Sequence, residues 1–495
     1  MVLAGGCDGK PTAESAPSAP VAPARLRVAV VDDPALARSI SRLQGQSADE
    51  TNISYEIVEL SSSDWPPRPA GEHAAKPPAD AIIAPAWLLG PAAERGLIVP
   101  LPETALGEQG AEWRGVFDAL RDQEAAWAGR PTAVPFGSPV FVCYYRADLL
   151  ESLKRRPPET WAEYRELAEL LANRDRLGSA APADRPWCGA MEPLGPGWAG
   201  LVLLARAAPY AKHRNQYSTW FDIDTMEALV AGPPVVRALE ELAAAARHGP
   251  NDAATLDPEA VRRAFWQGRC GMALTWPSAA AAAESAQASR NGGAGVAASP
   301  TSHPNRPAIS AAPIRVGFAM LPGSAEVFDA ARREWVRRGR DEPSRVPLLS
   351  ISGRLGMVSS AAERPEAALA LLLWLSGERH GAEVSPASGQ TTLFRRGHVR
   401  RPGGWVEPPV DAEAAASYAA LVEETLRGEQ FAFAPRIAGR AEYLAALDEA
   451  VHKTLDGRLP PLEALREAAD RWNEITERQG RERQRAALLH SLGLE

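Results

Sequence analysis

Apolar positions along this chain keep two rhythms. From Arg25, RLRVAVVDD packs β-branched residues into a short run that stops at two aspartates, and Pro34 then opens a helical spacing through Leu43. YEIVEL (55–60) alternates like a strand with one buried face. DAIIAPAWLLG repeats the plan, with a buried strand at 80–84 followed by a turn and a helix carrying Trp87. Strand–helix–strand–helix at this spacing predicts a parallel, doubly wound sheet, in which ligands gather where the strands' carboxyl ends meet the loops. Asp32, Asp33, Pro85, Ala86 and Trp87 all fall at such ends.

A second block follows. A strand is expected at 140–145, then a helix in PPETWAEYRELAELLANR, with Thr160 as N-cap and Glu163 three residues on, the spacing of a capping box. WCGAM (187–191) reads as a strand running into EPLGPGWAGLVLLARAA. A helix in PPVVRALEELAAAARHG, the run FWQGRCGMALTWPSAA and the strand-turn VGFAMLPG (316–323) continue the block. Residues 279–313 are rich in Ala, Ser, Gly and Pro and lack any period, which predicts a disordered surface insertion. A further loop precedes GRLGMVSS, ERPEAALALLLWLSG predicts a helix over 363–375, and beyond Pro402 the spacing is helical at 418–426, 441–455 and 462–489.

Composition narrows the function. Of 495 residues, 45 % are hydrophobic and 23 % charged, enough apolar surface for a large core and too much for wholesale disorder. A net charge of −8 argues against a broad nucleic-acid surface. No run approaches the ~18 apolar residues of a spanning helix. Four cysteines without a CxxC or Cys/His cluster predict no metal site, and Cys143, Cys188 and Cys270 are expected as buried free thiols, with one disulfide plus a free thiol as the alternative. The 14 tryptophans against 8 tyrosines, in a chain holding 40 glycines and 44 prolines, are the skew that needs explaining.

The opening MVLAGGC resembles the end of a bacterial lipoprotein signal, with Cys7 as the residue that is lipidated and PTAESAPSAPVAPA as a tether holding the domain off the membrane. Ala4 stands where that pattern prefers leucine, and the basic and apolar parts of a signal are missing, as they would be if the start codon were assigned too late.

Several stretches together resemble the extracellular solute-binding proteins of bacterial ABC importers, family 1, the class of maltodextrin-binding protein. They are DAIIAPAWLLGPAAERGLIVPLPE, AVPFGSPVFVCYYRADLLES, PPETWAEYRELAELL, FWQGRCGMALTWPSAA, FAMLPG, RPEAALALLLWLSGERHG and the carboxyl-terminal PRIAGRAEYLAALDEAVHKTLDGRLPPLEALREAADRWNEITE, spread over most of residues 25–480. The resemblance implies an α/β, two-lobed clamp of the periplasmic-binding-protein type II class with discontinuous lobes and a helical carboxyl-terminal region. Lobe 1 would comprise 25–136 and 324–376, and lobe 2 would comprise 140–318 and 380–495. Hinges would lie at 135–139 and 321–323, with a third crossing near 374–379.

It also implies capture of a small solute, a sugar or oligosaccharide, for a membrane permease, by a monomer outside the cytoplasm that needs no cofactor and is not an enzyme. A secreted carbohydrate-active enzyme and a binding protein serving a sensory receptor are the alternatives. Candidate ligand contacts are Trp87, Trp198 and Trp276, each just after a strand where an indole face can stack on sugar C–H groups. Asp33 and Glu192 would meet hydroxyls, Arg354 would offer its fork or sit in solvent, and Tyr145 would represent the tyrosine pair 144–145, of which alternation turns one to the cleft. Trp161, Trp374 and Trp472 lie in helical spacing and read as core. GPGWAG (195–200) fits a dinucleotide-binding glycine pattern, but the turn before it is too long and Pro196 removes a backbone donor; a ligand-facing loop is the better reading.

Overall fold

A computed structural model describes residues 24–65, 79–108, 110–178, 181, 185–280 and 314–494. Cys7, its tether and nearly all of the 279–313 insertion lie outside the described residues.

The strands, in chain order, are β1 (Ala24–Val31), β2 (Ile53–Leu60), β3 (Ala81–Pro85), β4 (Ile98–Val99), β5 (Ala126–Trp127), β6 (Arg130–Pro131), β7 (Val134–Pro135), β8 (Val142–Arg146), β9 (Cys188–Met191), β10 (Cys270–Thr275), β11 (Val316–Met320), β12 (Glu326–Asp329), β13 (Glu334–Arg337), β14 (Leu348–Leu349), β15 (Arg354–Ser359) and β16 (Ala432–Phe433). They form two principal sheets. The first runs β2-β1-β3-β15-β4, with β7 added on β15; the second runs β11-β8-β10-β9. The expected parallel core is present where β1 pairs β2 and β3, but β15 enters antiparallel between β3 and β4. A strand returning from the second lobe arrives from the opposite side, a relation that single-strand patterning does not encode.

Each sheet forms the centre of one lobe. The chain crosses from the first sheet to the second between β7 and β8, and returns between Met320 at the end of β11 and Arg354 at the start of β15. The return path is not a plain loop: it holds the antiparallel hairpin β12–β13 and the short β14, which pairs with β16. Its Trp335 packs on Phe328 and Tyr210, aromatic contacts that make a hairpin of a segment too charged (ARREWVRRGR) to reveal itself by alternation.

Local signals explain the helices. Helix Pro34–Ser41 starts on Asp33, whose side chain accepts the Leu36 amide, and Pro34 supplies a preset φ. Thr160 and Glu163 make a reciprocal capping box on helix Trp161–Ala172. The expected 462–489 helix is instead two, Pro461–Gln479 and Arg481–Ser491, broken at Gly480, whose φ of 90° lies in the region that favours glycine. The second of these returns to the first lobe, where His490 Nδ1 lies 2.7 Å from Glu94. Trp161 and Trp472 are core residues as expected, whereas Trp374 is only half-buried, its indole N–H on Glu50 and its ring against His380.

Candidate functional site

The carboxyl ends of β1 and β3, the start of β15 and the carboxyl end of β10 all lead to the short polar segment 385–392, and most of the sequence-derived candidates meet there. On the first-lobe side Asp33 and Arg354 find each other. Arg354 Nε donates to Asp33 Oδ2 at 2.9 Å, Nη1 to the Gly353 carbonyl at 2.9 Å and Nη2 to the Asp32 carbonyl at 3.1 Å. Asp33 Oδ2 also accepts from Ser388 Oγ at 2.5 Å, while Oδ1 holds the helix cap. Both side chains are buried. Arg354 is therefore not in solvent; its fork fixes the strand ends as a polar ledge, and burial lowers the guanidinium's pKa against the opposing pull of Asp33.

On the second-lobe side the wall is aromatic. Trp198, at the start of helix Ala199–Ala211, lies 5.6 Å from Trp276, and Phe141 contacts both, at 6.4 and 5.7 Å. Trp276 is buried, and its indole N–H donates to the Gly389 carbonyl at 3.0 Å. One residue away Ser388 is on Asp33, and Gln390 takes the Ser352 hydroxyl at 2.5 Å. The segment 388–390 thus touches both sheets' strand ends. Trp87, in the single turn after β3, is half-buried with the Arg440 guanidinium 5.8 Å from its ring centroid.

Two candidates do not join them. Tyr145 pairs with Met272 and Gly317, whereas Val142 of the same strand pairs with Thr275 and Met320 at the cleft end. Three residues at ~3.3 Å each carry Tyr145 about 10 Å from that end, and its ring covers Gly317, where even a Cβ would collide with it. The tyrosine assignment is corrected on that ground. Tyr144 turns into the core and bonds Glu407, and Phe141 is the aromatic at the cleft. Glu192 lies just past β9 but turns inward, taking Arg206 Nη2 at 2.7 Å while the guanidinium stacks 3.8 Å over Trp161. One oxygen, Oε2, has no protein partner.

The GPGWAG turn shows why a nucleotide does not belong there. The Gly197 and Gly200 amides both donate to the Asp448 carboxylate, at 2.5 and 2.7 Å, so an internal anion fills the cradle.

Behind the ledge lies a buried charge group that sequence reasoning missed. Glu124 accepts from Ser138 Oγ, the Ser350 amide and Ser350 Oγ at 2.8–2.9 Å, tying the two crossover segments together. Arg436 donates to the Glu124 carbonyl, and Arg440 to the Ile351 carbonyl. Burial raises the Glu124 carboxyl and lowers Arg436 to about 10 and Arg440 to about 9. The one available signal was PRIAGR, two arginines in an otherwise apolar and small stretch. Among the described residues no group of His, Cys, Asp and Glu is arranged to hold a metal ion, and no helix is long and apolar enough to cross a membrane.

Solved structures align over nearly the whole chain. The sugar-binding protein MalE from Xanthomonas citri gives a TM-score of 0.63 at 15 % identity, covering 92 % of this chain and 98 % of its own. An ABC-transporter solute-binding protein from Agrobacterium radiobacter K84, in complex with ribitol, gives 0.62 at 17 %, covering 91 % and 98 %. Maltose-bound MalE3 of T. maritima gives 0.59 at 17 %, covering 91 % and 99 %. Curated protein sequences give no significant match. The profile of the bacterial extracellular solute-binding proteins matches residues 38–381, and the chain belongs to that family, one of extracellular binding proteins rather than enzymes.

Proposed function

We propose that this protein is the solute-capturing component of an ABC importer, that its ligand is a sugar or sugar alcohol, and that it hands the ligand to a membrane permease. The observation that carries the reading is the bond from Trp276 to the Gly389 carbonyl, because it joins the aromatic wall of one lobe to the segment held by the polar ledge of the other. Such a bond is one a polyhydroxylated ligand can replace on entering. A hydroxyl accepts from the indole N–H, another donates to the freed carbonyl, and the apolar ring faces of Trp198, Trp87 and Trp276 cover the C–H groups. Asp33 and Arg354 serve as the fixed ledge, and Glu192 with Arg206 stiffens the loop before Trp198. Ligand contact with both lobes would stabilise the closed clamp by its difference in affinity for the two states. Ribitol and maltose in the structural neighbours agree with this chemistry.

In the same reading the lobes divide at 135–139 and 321–323, the molecule acts as a monomer, and Cys7 carries the lipid that keeps it beside its permease. The test is calorimetric titration with ribitol, mannitol, tagatose, maltose and maltotetraose, paired with small-angle scattering. Heat of binding with a smaller radius of gyration is expected for at least one. Neither signal with any of them overturns the sugar reading.

A further inference from the structure

Three buried cysteines lie in the second lobe, and two of them stand opposite each other. Cys188 opens β9, Cys270 opens β10, and the parallel register pairs the two directly, with Met272 on Ala190 and Ala273 on Met191 keeping the same offset. Neighbouring strands run about 4.8 Å apart, inside the Cα separation that disulfides span. Both thiols point into the same apolar cluster, with Phe265 and Val316, whereas Cys143 on β8 belongs to the other cluster and pairs with Leu274 and Ala319. All three are free thiols here.

Burial pushes the Cys188 thiol up to about 12 and raises that of Cys270 as well, so neither supplies thiolate once the lobe has packed. A glycine follows each cysteine, and the backbone of helix Trp161–Ala172 presses on Gly189 so closely that a Cβ would lie 1.8 Å from the Ala168 carbonyl oxygen. Cys270 is fully buried and Cys188 only 6 % exposed, so the packed lobe shields both thiols from an oxidant.

We infer that Cys188 and Cys270 form a cross-strand disulfide when the protein folds in an oxidising extracellular compartment, and stay reduced when it folds in a reducing one. The bond forms by exchange. The thiolate of one cysteine attacks a disulfide-bearing oxidant of the glutathione or thiol-oxidoreductase class, and the mixed disulfide is resolved by the second thiolate. The two cysteines together lose two electrons and two protons, and the oxidant's disulfide leaves as two thiols. The bond staples the edge strand β9, which leads to Glu192 and Trp198, onto the central strand β10, which leads to Trp276. The inference depends on an extracellular location and on no particular ligand, so a failed sugar titration leaves it standing.

The full chain is denatured in reductant and refolded in a mixture of reduced and oxidised glutathione, then alkylated, digested with trypsin and mapped by mass spectrometry. A linked peptide pair containing Cys188 and Cys270 is expected, with Cys143 alkylated. Cys188→Ser and Cys270→Ser each abolish the link, and Cys143→Ser keeps it. Native reduced protein exposed to the same mixture without unfolding is expected to remain unlinked. Full alkylation of both cysteines after oxidative refolding, or a link through Cys143, overturns the inference. Should the serine variants fail to fold, the mapped wild-type protein decides by itself.

Discussion

The two strand-end regions that face each other across this molecule are built from opposite materials. The first-lobe ledge is ionic: Asp33, Arg354 and Ser388 are buried and use their polar atoms on one another and on backbone. The second-lobe wall is aromatic: Phe141, Trp198 and Trp276 lie within 6.4 Å of each other in edge and tilted contacts, with one directed polar bond out of the cluster. A charge pair in a dry site tolerates almost no displacement, since separating its members strands a charge. Aromatic faces slide at small cost. The contrast suggests a division of labour in which one lobe supplies a fixed reference and the other an adaptable surface.

Removing one charge tests the ledge most severely. Arg354→Ala leaves Asp33 buried with Ser388 and a backbone amide as its remaining partners, and breaking a buried pair costs about 3–5 kcal/mol. Denaturant unfolding is expected to show a loss of that size, and the double variant Asp33→Leu with Arg354→Met should recover much of it. If Arg354→Ala costs under about 1 kcal/mol, the ledge is not a fixed reference.

Acid distinguishes the sides next. His398 is buried between Phe394 and Trp405, residues packed with the second sheet, and burial together with the neighbouring Arg395 lowers its pKa to about 3. The unfolded chain protonates near the ordinary value of 6.5 while the folded one does not. Stability is therefore full above 6.5 and falls as pH drops towards the folded value. At 1.36 kcal/mol per unit, about 2 kcal/mol is lost between pH 6.5 and 5. Urea midpoints measured across that range should fall in the wild type, and His398→Gln should remove most of the slope.

How much of this was legible beforehand follows the same contrast. The strand ends were readable because each ends in a sharp change of pattern, VVDD, IIAPAW or MALTWP, and the aromatic members followed from a tryptophan placed just after a strand. Asp33 and Arg354 were named separately, but their pairing was not, because 321 residues separate them and only the antiparallel entry of β15 beside β3 brings them together. Tyr145 was misplaced for a related reason: alternation fixes a face but not the position along the strand, and the cleft end is set by the register with β10 and β11. Glu124 and Ser350 carried no local signal, since what makes them notable is burial across three crossing segments. The capping box at Thr160 was read correctly because its two partners are three residues apart.

The smallest expected effect is the one that bears most directly on the clamp. Trp276→Phe keeps an aromatic ring in the wall and deletes the single N–H that reaches the Gly389 carbonyl, so about 1–2 kcal/mol of stability should be lost. Trp472 provides a matched control. It too is buried and donates its indole N–H to a backbone carbonyl, that of Tyr443 at 2.8 Å, but within the carboxyl-terminal helices and not between strand ends of the two sheets. Trp472→Phe should therefore cost a similar amount in denaturant while leaving the scattering radius of the ligand-free protein unchanged. Trp276→Phe should increase that radius, because the deleted bond joins the aromatic wall to the segment bonded at the other sheet's strand ends. Equal radii for both variants would mean that the aromatic wall is ordinary core, and that the adaptable surface must be sought elsewhere in the cleft.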